Sequence, residues 1–196
     1  MAAGVFYEEP MEVERELYAV KSGYRLAGGF NLSIEGLTAQ KHIPTLCPLH
    51  INFADRTASV VDNIKVVARA EDSATSLKIA KGSFAKAGTK YMLSPSVFVT
   101  VSKVDASEEA FDTLTVSTTQ EAIPEGSVMT ACTADDTATA IQSANALNYT
   151  RTKIEEGISV TALGSAYEIK EADLYIPVTE EDKKSLTDRF MFIPLK

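Results

Sequence analysis

From Thr75 to Gly82 the chain alternates, with Leu77 and Ile79 on one side and Ser76 and Lys78 on the other. A period of two is the pattern of a strand buried on one face only. The pattern returns over residues 97–104, where Val97, Val99 and Val101 share a face, and again over Leu114-Thr115-Val116. Between these runs lie turn-forming stretches. Residues 83–89 carry one aromatic anchor, Phe84, with Gly82 and Gly88 near the ends, and residues 105–109 are polar. Pro124-Glu125-Gly126-Ser127 forms a turn leading into Val128-Met129. The stretch from Thr75 to Val116 therefore predicts a small β-barrel-like module. Upstream, residues 51–60 and 64–67 predict two strands around a polar turn at Asp62-Asn63.

Outside that module the pattern loosens. Val13, Leu17 and Val20 have a spacing a short helix can use, without a strong cap before them. Gly23, Gly28, Gly29 and Gly36 then punctuate an extended path through Phe30, Leu32 and Ile34. Residues 1–44 read as an extended N-terminal arm whose aromatic residues, Phe6, Tyr7, Tyr18, Tyr24 and Phe30, need a surface to pack on. That surface is the chain's own β core or a neighbouring subunit, and the five are the candidate partner-binding residues. Pro44 and Pro48 confine the stretch 41–50 to an edge or a crossover. Residues 131–150, small and polar, read as a linker with an Ala-rich helix or coil through Ile141, Ala144 and Leu147. A second β segment spans 151–196, with Ile158 and Val160 alternating and Tyr167, Ile169, Leu174 and Ile176 continuing the strand composition.

The clearest helix follows. Thr179 is placed as N-cap, acidic Glu180, Glu181 and Asp182 occupy the first turn, and Leu186 and Phe190 form the apolar stripe. Pro177 and Pro194 bound it. The predicted class is thus all-β (mainly β): an arm at 1–44, a β-barrel-like module at 45–130, a linker at 131–150, and a β segment with one short C-terminal helix at 151–196.

Composition changes this picture little but excludes some functions. A chain of 196 residues buries roughly 70% of its unfolded surface and folds without a disulfide or metal staple. Its net charge of −8 repels a phosphate backbone, which argues against nucleic acid as a partner. Two cysteines, Cys47 and Cys132, are too few for a disulfide framework. No run reaches the roughly 18 apolar residues of a membrane helix, and the first residues lack a leader pattern, so synthesis in the cytoplasm is expected.

Candidate chemistry is sparse. His42, Cys47 and His50 suggest a metal-bound hydrolase, yet their spacing fits no standard zinc pattern and lacks a fourth ligand. Asp135 and Asp136 lack the glycine and terminal glutamate of a calcium loop. No G-x-S-x-G elbow or phosphate loop occurs, and the carboxylate doublets are those an acidic surface supplies. No catalytic, cofactor or metal residue is expected from this sequence, and no enzyme activity.

The order of segments carries a resemblance. Gly4-Val5-Phe6-Tyr7 opens the chain, and Pro48-Leu49 precedes Arg56-Thr57-Ala58. Thr75-Ser76-Leu77-Lys78-Ile79-Ala80-Lys81-Gly82, Asp112-Thr113-Leu114-Thr115 and Leu147-Asn148-Tyr149 follow. Ala166-Tyr167-Glu168-Ile169, Asp182-Lys183 and Arg189-Phe190 close the series. In this order the chain resembles the head-fibre or capsid-decoration proteins of tailed bacteriophages and of prophages of gut anaerobes. The resemblance implies a virion structural protein on the capsid exterior, a homotrimer, bound to the major capsid protein. Gly88-Thr89 stands where related modules often have Gly-Asp, and no coiled-coil heptads occur, which implies a short knob without a stalk. On this reading, deletion of residues 1–44 abolishes capsid binding and leaves the β core folded. The alternative is an adhesin for host-surface glycans, using Tyr91, Tyr149, Tyr167 or Tyr175.

Overall fold

A computed structural model describes residues 17–37, 40–134 and 137–194. The protein is mainly β, with 43% of residues in strands against 9% in helix, one short C-terminal helix, and a sheet curled into a half barrel. The chain builds one sheet, leaves it to build a second, and returns. The first pass lays down β1 (Tyr24–Arg25), β2 (Phe30–Leu32), β3 (His42–Ile43), β4 (Pro48–Asn52) and β5 (Thr57–Val60). The excursion comprises β6 (Asn63–Lys65), β7 (Ser76–Ile79), β8 (Lys90–Ser94), β9 (Val97–Asp105), β10 (Asp112–Val116), β11 (Val128–Ala134) and β12 (Ala138–Ala140). The return adds β13 (Ala146–Asn148), β14 (Thr152–Lys153), β15 (Ser159–Val160), β16 (Ala162–Lys170), helix α1 (Glu180–Leu186) and β17 (Phe190–Ile193).

The first sheet runs β1-β16-β13-β4-β5-β2-β15, with β17 added parallel to the far half of β16. Its two ends belong to one ribbon. Residues 24–32 run antiparallel to residues 158–165, from Tyr24 opposite Ser165, through the Leu26 amide on the Ala162 carbonyl, to Phe30 opposite Val160. The sheet therefore curls back on itself, which leaves few free edge groups. Phe30, Leu49 and Ile43 fill its interior, all fully buried.

The second sheet runs β12-β11-β8-β9-β10-β7, with β6 also on β11. The chain just after β6 bridges its open side. Val66 donates to the Ser127 carbonyl while Val67 donates to Lys78, and Val66 is also opposite Ile79. The alternating residues point inward as the sequence pattern requires: Leu77 and Ile79, and Val97, Val99 and Val101, are all buried in one cluster around Tyr91. Phe84, the aromatic of the 83–89 connector, leaves this cluster for the first sheet's core. It ties the two bodies together.

Several expectations are corrected. Of the two surfaces expected for the arm, residues 17–37 take the chain's own core, and they do so as paired strands: Phe30 is fully buried, Tyr18 is 8% exposed, and the chain hydrogen-bonds along β16 at Tyr167 and Lys170. Residues 45–130 are not one module, because β4 and β5 belong to the first sheet and β6 to β11 to the second. The span 131–150 is no linker or Ala-rich helix. It holds the end of β11, then β12 and β13, where Ala131, Ala138 and Ala146 sit buried against neighbouring strands. Alanine favours helix in isolation, but strand pairing overrides so weak a preference. Pro48 opens a central strand between β13 and β5, which a first-position proline allows because it withholds only its own N–H. The helix stops at Leu186 and Phe190 begins β17, so the two do not form one helical stripe.

Candidate functional site

The excursion leaves the first sheet at Val61-Asp62 and comes back at Ile141-Gln142, and polar side chains fix both crossings. The Gln142 amide donates to the Val60 carbonyl (3.0 Å) and accepts from the Ser59 hydroxyl (2.8 Å). Asn145 mimics a strand residue, its side chain bonding both the amide and the carbonyl of Ile51 (2.8 and 2.9 Å). The helix N-terminus closes the arrangement. Asp182, 1% exposed, accepts from Asn63 Nδ2 (2.8 Å), the Ala144 amide (2.8 Å), and both the amide and hydroxyl of Thr179 (2.9 Å each). Thr179 Oγ1 in turn accepts from the Asp182 amide (3.0 Å), completing a capping box. One carboxylate thus holds the outgoing strand, the returning strand and the helix.

Beside these crossings lies a cleft of about 380 Å³ between the two bodies. One wall is the 33–37 turn, where Gly36 takes φ +81° and a Cβ would run into the Lys86 ammonium from the opposite wall. Val60, Ser59 and Gln142 contribute the first sheet's side, and Lys86, Thr89 and Ala131 the second's. Asp62 lies at the meeting point. Its backbone carbonyl accepts from Ala131 (2.9 Å) and its Oδ2 accepts from the Tyr91 hydroxyl (2.6 Å), while its Oδ1 is buried without a partner.

Burial pushes the Asp62 carboxyl above the usual carboxylate range, and the Tyr91 hydrogen bond and the Lys86 charge pull it down only in part. Burial, with Asp62 adding to it, holds both the Tyr91 phenol and the Cys47 thiol protonated. A folded pKa above the unfolded one means that the folded chain binds this proton more tightly. The resulting stability is full below about pH 4 and is lost as pH rises through the folded pKa. Thermal unfolding followed by circular dichroism should show that decline with rising pH for the natural chain, and Asp62→Asn should remove it. Parallel pH profiles for the two proteins would rule the assignment out.

The residues singled out in the sequence are dispersed. Phe6 and Tyr7 lie outside the described residues, as do Asp135 and Asp136. Tyr18 and Phe30 are core, while Tyr24 is 63% exposed. His42 Nδ1 meets Arg151 (3.3 Å), His50 Nδ1 meets the Ser143 carbonyl (2.9 Å), and Cys47 is buried with its thiol toward the Pro48 carbonyl. Each has its own partner, and no cluster of three metal-ligating residues occurs among the described residues. Of the tyrosines named for glycan contact, Tyr91 is fully buried and Tyr149 carries the Arg25 guanidinium over its ring, whereas Tyr167 and Tyr175 are exposed. The cleft has no motif in the sequence. Its one sequence signal is the polar pair Asp62-Asn63 between Val60-Val61 and Ile64, which reads locally as a turn.

Fold and site together define a mainly-β protein of two sheets, the first curled back on itself, with a cleft of mixed polar and apolar lining between them. Comparison with protein-family models, with curated proteins and with solved structures gives no match.

Proposed function

We propose that this chain is a bacteriophage virion structural protein of the head-fibre or capsid-decoration type, attached to the outer capsid surface as a homotrimer. The observation that supports an assembly role is an apolar outer face on the first sheet. Ala166 and Phe190, opposite each other in β16 and β17, point into the core, and the next residue along each strand, Tyr167 and Met191, points out. They are 44% and 46% exposed. Tyr24, packed over Gly164, and Val20, next to the Ala19–Tyr167 hydrogen bond, extend this face at 63% and 58% exposure. Large apolar side chains gathered on adjacent strands are commoner at protein contacts than on free surface.

Light scattering on purified protein is expected to give three chain masses, and Tyr24→Ser combined with Tyr167→Ser and Met191→Ser to give one. A natural chain that stays monomeric at micromolar concentration would end the trimer reading. Attachment is tested by co-sedimentation with shells of any major capsid protein found to be encoded near this gene. Absence of co-sedimentation, or of capsid genes nearby, would remove the capsid assignment.

A further inference from the structure

The cleft between the two bodies combines features that the assembly role does not use. Four side chains on its walls, Ser33, Glu35, Lys86 and Thr89, make no side-chain hydrogen bond or ion pair among the described residues. They present two hydroxyls, an acceptor-only carboxylate and a donor-only ammonium. The wall between them is apolar where Leu37, Val60 and Ile141 contribute. A volume near 380 Å³ lies at the small end of ligand sites, and the junction of two bodies is where such sites concentrate.

The charges decide the class of ligand. Glu35 and Lys86 line the cleft with one charge of each sign, the Lys86 ammonium reaching the turn at Gly36, and the partnerless Asp62 oxygen is sealed from solvent, so the lining singles out neither a simple anion nor a simple cation. What remains is two hydroxyls that both donate and accept, one acceptor and one donor, beside an apolar wall. A pyranose sugar has the matching surface: hydroxyls that donate and accept at its rim, and a C–H face that packs on aliphatic carbon.

We infer that the cleft between the two sheets binds a neutral sugar of monosaccharide size, with Ser33, Glu35, Lys86 and Thr89 as its hydrogen-bonding residues. This requires neither the trimer nor a capsid, so it stands or falls apart from the assembly reading.

Saturation-transfer NMR on the full chain tests it, with glucose, galactose, mannose, fucose and N-acetylglucosamine at tens of millimolar and glycine and glutamate in parallel. At least one sugar should receive saturation. The combined Glu35→Gln and Lys86→Met variant, whose substitutions lie on the exposed rim and spare the core, should bind it about tenfold more weakly. Circular dichroism confirms that the variant is folded, and Thr89→Val serves as a second, nearly isosteric probe with the same expected direction. Saturation of no sugar would overturn the inference. Undiminished binding by both variants, or binding of the amino acids in preference to every sugar, would overturn it too.

Discussion

Asp182→Ala is expected to destabilise the protein by about 3–5 kcal/mol, a large part of the roughly 5–15 kcal/mol that holds a domain folded. The mutation strips the acceptor from the Ala144 and Thr179 amides, and each buried donor left unsatisfied costs about 1–3 kcal/mol. Loss of the cap adds about 1 kcal/mol. Asn63 retains the Pro177 carbonyl (2.9 Å), so its amide is only partly orphaned. Asp182→Asn, with its one oxygen in the place of Oδ2, keeps at most three of the four contacts, loses that to the Ala144 amide, and should fall between alanine and the natural residue. Urea unfolding read by circular dichroism or tyrosine emission gives the value directly, since the chain has no tryptophan. A midpoint shift equivalent to less than about 1 kcal/mol would show that the carboxylate is not the clamp joining the strands to the helix.

Deletion of residues 1–44 should unfold the protein, the reverse of what an extended arm implies. That deletion removes β1, β2 and β3, and with them the buried Phe30, Leu32, Leu37 and Ile43. Truncating a single buried Phe to Ala costs about 3–5 kcal/mol, so losing four core side chains and the strand that closes the first sheet exceeds the stability available. Residues 30–32 also lie between β5 and β15, whose hydrogen bonds would open on both sides. Arg56 reinforces the same seam, donating to the Ala27 and Gly29 carbonyls and stacking over Phe30. A chain starting at Leu17 retains every core contact among the described residues and should unfold cooperatively. If the chain lacking 1–44 gave the same unfolding transition, the closed first sheet would be wrong.

These two predictions follow from contacts that are remote in sequence, and this marks the limit of what local pattern conveys. Alternation at Leu77 and Ile79, and at Val97, Val99 and Val101, determined which faces are buried, because a pleated strand offers only two. Thr179 with its acidic first turn determined where the helix begins, because capping is settled within four residues. The mainly-β class follows from these features alone.

Tertiary structure decided which strands pair, and so decided the cleft. Asp62 looks like a turn residue until β11 and Tyr91 are brought beside it. Asp182 looks like a helix cap until Asn63 and Ala144 arrive from the two crossings. Alanines 131, 138 and 146 have helix-forming side chains, yet they become strands because their small size fits the packed space beside their neighbours. A period of two specifies the side of a sheet but not the neighbour. The neighbour is fixed by how the curled sheets close, and that depends on the entire chain at once.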